Sequence, residues 1–433
     1  IVNWNADSWA PPVHTKTWFH TGVYLGRDRI SNYFAGLLDD QDIGEYFRIP
    51  ATGDAQADVR AKQFLLDDTI LPDGLTLAEE REACRALKGM MLRQEVYADD
   101  AHPGSSQAMN ERANRPYTVV EQNFTIARLQ PREHNRHGVF FTHPREAITY
   151  HYERNPEDPR IQHAMTLEVD DFGNILTSVA IGYGRQADAL DATLLPEDHE
   201  NQRLIHITCT ENAVTKHIDA DDAYRTPLPA ETCTYEMRKP QQEHSSNTPT
   251  VLYRFDDMLA DVKQTRDGKH DIPYHDYDFA GAKSAMANDS AEKDNYFRRL
   301  IEHVRTLYRP DDFGADENNP QELLPLGEMG ALALPGESYK LAFTPELVDQ
   351  VYQYRVTDDM LRDEGKYVQF PQETGRWIPS GRVYYSPGAR DTPANERTYA
   401  FQHFFLPHRF CDPFAQTTYI AYDSDELDSA KNI

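Results

Sequence analysis

The sequence predicts a mainly β protein: an extended, wound antiparallel sheet carrying a few short helices. Three observations carry this prediction. The run 166–185, TLEVDDFGNILTSVAIGYGR, reads as a strand, a tight turn and a second strand. Apolar–polar alternation at period two, rich in β-branched and aromatic residues, recurs along the chain. Finally, 27 prolines and 22 glycines punctuate the 433 residues, which suits many short elements joined by turns.

Taken in order, residues 1–75 are mixed, with aromatics at Trp4, Trp9, Trp18 and Phe19 and an acidic loop at Asp39-Asp40. Thr76 then caps a helix, and Glu79 completes a capping box. Leu77, Cys84, Leu87 and Met91 fall near one face, so the helix is expected to end near Gly89 or a turn beyond. From about 117 the period changes to two. Val120, Gln122, Phe124 and Ile126 form one alternating set. Ile148, Tyr150 and Tyr152 form the next, then Met165, Leu167 and Val169, then Ile175, Val179, Ile181 and Tyr183. Residues 186–200 read as a polar connection, and strands resume at 203–210 and 231–237. Residues 238–296 are a polar excursion with a short helix expected within 251–262. The segment 297–308, FRRLIEHVRTLY, fits a helical stripe through Phe297, Leu300, Ile301, Val304 and Tyr308. It also fits a strand, with Leu300, Val304 and Tyr308 on one face, although periodicity alone favours the helix. Thr344-Pro345 starts a helix over 345–353, and Thr357 opens another that Gly365 ends. Strands are expected at 382–386, 401–407 and 417–422.

The turn at 170–174 follows from its residues. Asp170 or Asp171 can bond the backbone two residues on, Phe172 sits at the tip, and Gly173 tolerates positive φ before Asn174. Asp412, Pro413, Phe414, Ala415 and Gln416 echo it, ahead of TTYIAY and Asp423. Ala415 and Gln416 stand where the pattern prefers Gly and Asn, and an alanine is ill suited to positive φ. These two turns are the candidate structural positions. The chain lacks an initiator Met and stops soon after Tyr422, so a piece of a longer polypeptide is expected.

The formal net charge of −27 argues against nucleic acid and against anionic membrane surfaces as partners. No apolar run reaches the ~18 residues of a spanning helix. Cys84, Cys209, Cys233 and Cys411 are scattered, form no CxxC pair and stand at no zinc-like spacing from a histidine. His134 and His137 have metal-like spacing but lie in an Arg-rich, turn-like stretch without supporting carboxylates. Glu80-Arg81-Glu82 matches the paired glutamates of ADP-ribosyltransferases. No Ser-Thr-Ser strand precedes it, however, and the pair falls inside the capped helix. The cluster Asp219, Asp221, Asp222 lacks the EF-hand spacing. There is no GxSxG elbow, P-loop or GxGxxG. The expectation is a scaffold rather than an enzyme, without cofactor or metal. A glycosidase, an ADP-ribosyltransferase and a sugar-binding module are the alternatives.

Long blocks of the sequence resemble the B component of bacterial insecticidal ABC (Tc) toxin complexes. Among them are LPDGLTLAEEREACRALKGMMLRQEVYADD (71–100), RHGVFFTHPREAITYHYERNPEDPRIQHAMTLEVDDFGNILTSVAIGYGR (136–185), LPLGEMGALALPGESYKLAFTPELV (324–348) and HFFLPHRFCDPFAQTTYIAYD (403–423). The resemblance implies a segment of a hollow Rhs/YD-repeat β-sheet shell, following the propeller of the B component. That shell is built with a C component, whose toxic effector it encloses, and docks through the propeller on an A component, a pore-forming channel. It implies a secreted toxin complex, with this chain contributing two consecutive wall segments, 1–190 and 191–433. It also makes a strand the expectation for 297–308.

Overall fold

The computed structural model describes residues 12–36, 44–48, 65–101, 103–156, 158–185, 193–241, 252–316 and 319–422. Most of the strands join one large antiparallel sheet, not closed into a barrel. Its first seven are β1 (Val13–Phe19), β2 (Met91–Ala98), β3 (Thr118–Gln130), β4 (Val139–His151), β5 (Arg160–Val169), β6 (Ile175–Gly182) and β7 (His206–Val214). A separate hairpin, β8 (Ile218–Ala220) and β9 (Ala223–Arg225), follows. The large sheet then takes up β10 (Pro229–Arg238), the short parallel β11 (Asp271–Ile272), β12 (Phe297–Tyr308), β13 (Pro335–Phe343) and β14 (Arg376–Pro379). Strand order in space is β1-β2-β3-β4-β5-β6-β7-β10-β12-β13-β14, with β11 beside β12. Apart from these short pieces, each strand pairs with the next along the chain. β6 and β7 are paired in this sheet, from Thr177 opposite Glu211 to Gly182 opposite His206. A second sheet holds β15 (Arg382–Tyr384), β16 (Arg409–Cys411) and β17 (Thr417–Tyr419).

Alternation sets which face is buried. Ile148, Tyr150, Ile161, Met165, Val179, Ile181, Ile207, Cys209 and Met237 turn to one side of β4–β7 and β10. There they meet Met258 and Val262 of a helix at Phe255–Thr265, inside the stretch read as a polar excursion. β3 departs from the expected set. Val119, Glu121 and Asn123 are buried, whereas Val120 and Gln122 are half-buried on the opposite side. The register slips between Asn123 and Phe124, so Phe124 and Ile126 face inward only beyond that point. The extra residue at this bulge is Arg145 of β4, and opposite it the consecutive Asn123 and Phe124 are both buried, so the inward parity of β3 changes there.

The helices, in chain order, are α1 (Leu77–Ala86), α2 (Gln107–Ala113), α3 (Pro196–Arg203), α4 (Phe255–Thr265), α5 (Ala280–Asn288), α6 (Pro345–Val351) and α7 (Pro393–Gln402). In α1 the Thr76–Glu79 capping box is formed in both directions. The helix ends at Ala86, capped by Leu87, and Gly89 takes a φ of 87°. Its apolar face is therefore Ala83, Cys84 and Leu87, packed on Phe124 and Ile126. Leu77 lies outside that face, 55 % exposed, and Met91 opens β2. The strand expected from 203 starts at His206, because the chain is helical up to Arg203. Residues 360–364 wind as a wide π turn that Gly365 caps.

The strand expected at 401–407 is absent. Thr392 caps and Pro393 begins α7, which runs through Gln402. The chain then reverses, with Phe404 and Phe405 at φ of 57° and 55°. The apolar residues that suggested a strand do not alternate into a core, since Phe401 and Phe404 are 77 % and 86 % exposed. Residues 297–308 are strand throughout. β12 is flanked by β10 and β13 and is partly covered on both sides, so apolar residues stand on both of its faces and mimic a helical stripe.

Candidate functional site

The tight turns owe their shape to a single aspartate each. Asp170 Oδ1 accepts the backbone N–H of Phe172 (2.9 Å) and of Asn174 (2.8 Å), while Oδ2 accepts the Asn174 side-chain amide (2.9 Å). Gly173 takes a φ of 91°. In the second turn Asp412 Oδ1 accepts the N–H of Phe414 (2.9 Å) and of Gln416 (2.7 Å). Ala415 occupies the left-handed position at a φ of 65°. Asp171 and Phe172 are exposed, with Phe172 tilted against His217 at 5.4 Å. Asp423 lies outside the described residues.

The glutamates of α1 are engaged in packing the helix. Glu80 accepts bonds from the Tyr24 hydroxyl and the Arg27 guanidinium, both at 2.5 Å, and these hold its pKa below the ordinary value. Glu82 accepts from Gly138 N–H at 2.9 Å and meets His137 at 2.9 Å, so its pKa is also lowered. The two carboxylates thus serve different neighbours. His134 is exposed in the loop before β4. A groove of about 920 Å³ runs beside Phe141, Arg145, Glu168 and Asp170. Two of its acids are taken up as well: Asp170 in its turn, and Glu168 by Arg266 (2.8 Å) and Thr177 (2.6 Å).

Polar groups instead line up inside the sheet. On β2, Arg93 bonds Glu95 at 2.8 Å and, across to β3, Glu121 at 3.0 Å. Asn123 donates to Glu146 at 2.8 Å, Glu146 lies 3.1 Å from His163, and His163 lies 3.2 Å from the Tyr183 hydroxyl. This strip crosses β2–β5 on the buried face. One guanidinium serves two buried carboxylates, and burial outweighs its attraction at Glu121, whose pKa is pushed up to about 7. At Glu146 the bonds from His163 and Asn123 overcome burial and lower the pKa.

Among the described residues one group of side chains could together ligate a metal: Glu231 and Cys233 on β10 with His303 on β12. Cys233 and His303 are direct register partners, and Glu231 stands two residues along on the same face. His303 Nε2 lies 2.6 Å from Glu231 Oε1, which also accepts from Arg305 Nε at 2.8 Å. These bonds hold the Glu231 carboxyl at about 2, while burial and the neighbouring Glu231 push the Cys233 thiol up to about 11. The sequence gives no local sign of this trio, because the strand register unites residues some seventy positions apart.

Residues 82–228 match the family model described as insecticide toxin TcdB middle/C-terminal region. No curated protein matches the chain. Similar solved structures include the TcdB2-TccC3 crystal structure, with 21 % identity and a TM-score of 0.58 over 97 % of this chain and 18 % of that one. Another is TcdB2-TccC3-TEV, with 20 % identity and a TM-score of 0.59 over 97 % and 17 %. The Photorhabdus luminescens Tc holotoxin pore gives 20 % identity and a TM-score of 0.58 over 95 % and 17 %. The chain therefore spans less than a fifth of the length of the chains it resembles. In sequence, residues 82–228 resemble the TcdB middle/C-terminal region, and the fold of the chain resembles a part of the TcdB2-TccC3 structures.

Proposed function

We propose that this chain is a non-catalytic stretch of container wall in a Tc toxin B component, formed by two consecutive segments, 1–190 and 191–433. The observation that carries the reading is the sheet itself: a long antiparallel meander that runs, among the described residues, from β1 to β14 and whose strand order follows the chain. Such a sheet is suited to enclosing space and, left open, needs neighbours along its edges. The tight Asp-anchored turns set the spacing of successive strands. The wall would surround the effector carried by an Rhs-type C component and would reach the pore-forming A component through a propeller outside this chain. The Tc holotoxin likeness supports a place in a secreted complex. No helix among the described residues is long and apolar enough to cross a membrane.

Co-expression of the protein carrying this chain with a C-type partner tests the reading. A closed particle that shields the C-terminal part of the partner from added protease is expected. A stable monomer that leaves the partner fully digestible would contradict it. Turnover of a glycoside or NAD substrate, lost on Glu80→Gln with folding intact, would favour an enzyme instead.

A further inference from the structure

We propose that Glu231, Cys233 and His303 form a binding site for a borderline-soft divalent cation of the Zn²⁺ class, clipping β10 to β12. Their ligand atoms lie within 4.8 Å of one another, so modest side-chain rotation brings them to the ~2.0–2.3 Å bond lengths of such an ion. The donors stand on adjacent paired strands, which fixes their backbones. The His303 ring is further held edge-on by Trp377 at 4.7 Å. All three side chains are only partly covered, which leaves a path for the ion and a fourth position for water.

Thiolate and imidazole select Zn²⁺ or Co²⁺ over Mg²⁺ and Ca²⁺. Charge also balances. A carboxylate and a thiolate neutralise the dication, while Arg305 keeps its own partner in Glu373 at 2.7 Å and stays stacked near Trp377 at 4.5 Å. The bonds that join Glu231 to His303 and Arg305 both fall on Oε1. The residues between these strands include α4 and α5, so the ion would tie the base of that excursion.

Titrating the full chain with Co²⁺ tests the site. One equivalent should raise a thiolate-to-metal absorption band, retained in Cys411→Ser and lost in Cys233→Ser. The His303→Gln variant should bind at least about tenfold more weakly. In the unaltered protein, Zn²⁺ should slow alkylation of Cys233 by about tenfold or more, a readout that needs no variant. No band in the parent, a band unchanged by Cys233→Ser, or alkylation indifferent to Zn²⁺ would each overturn the proposal.

Discussion

At the scale of residues, the two turns form a natural experiment. Their backbone bonds to the aspartate Oδ1 are the same, but one carries Gly173 and the other Ala415 in the left-handed region. An alanine there is strained, so Ala415→Gly should stabilise by up to about 1 kcal/mol in urea unfolding. Asp170→Ala removes the acceptor of three bonds and should cost about 1–3 kcal/mol. Glu121 makes a separate prediction. Its folded pKa of about 7 exceeds the ordinary 4.5, so the folded chain binds more protons than the unfolded chain between those values. Its contribution is then most favourable below pH 4.5 and declines as pH rises to 7. Glu121→Gln should flatten that decline, and the difference between variant and parent midpoints across pH 5–8 reads it. Parallel pH curves would contradict the assignment. The turn residues were legible because a short loop is determined by its own sequence. The inward Glu121 was not, because a bulge seven residues into the strand decides which parity faces the core.

At the scale of elements, helix starts were legible and helix ends less so. Thr76 and Thr344 cap through their own hydroxyls, a local signal, and Thr392 does the same at a helix start that was not expected. The 401–407 segment was misread because α7 takes up its first residues and the rest turns outward. The 297–308 segment was ambiguous because a strand covered on both faces loses the alternation that identifies it. Packing at this scale is testable by contrast. Ile148 is fully buried in the β4–β5 core, and Ile148→Ala should cost about 2–5 kcal/mol. Leu77, on the outer side of α1, should tolerate alanine within about 0.5 kcal/mol. Equal costs in thermal or urea unfolding would mean the sheet face is assigned the wrong way round.

At the scale of the whole molecule, the meander is the feature most nearly written in the sequence. Strand order follows the chain, with short connections from β3 to β6 and longer excursions elsewhere, so neighbours along the chain are neighbours in space. The contacts that bind distant parts of the chain were not legible. Cys233 opposite His303 and the Arg309–Glu396 ion pair at 2.8 Å both arise from register and docking. The same logic defines the account's central claim, that this sheet is wall rather than active-site scaffold. A cryo-EM map of the protein carrying this chain, purified with its C-type partner, tests it most directly. The account predicts β1–β14 curved around an enclosed cavity, with further strands hydrogen-bonded along β1 or β14. A map with this sheet as a free-standing domain outside any cavity, both edges open to solvent, would contradict it.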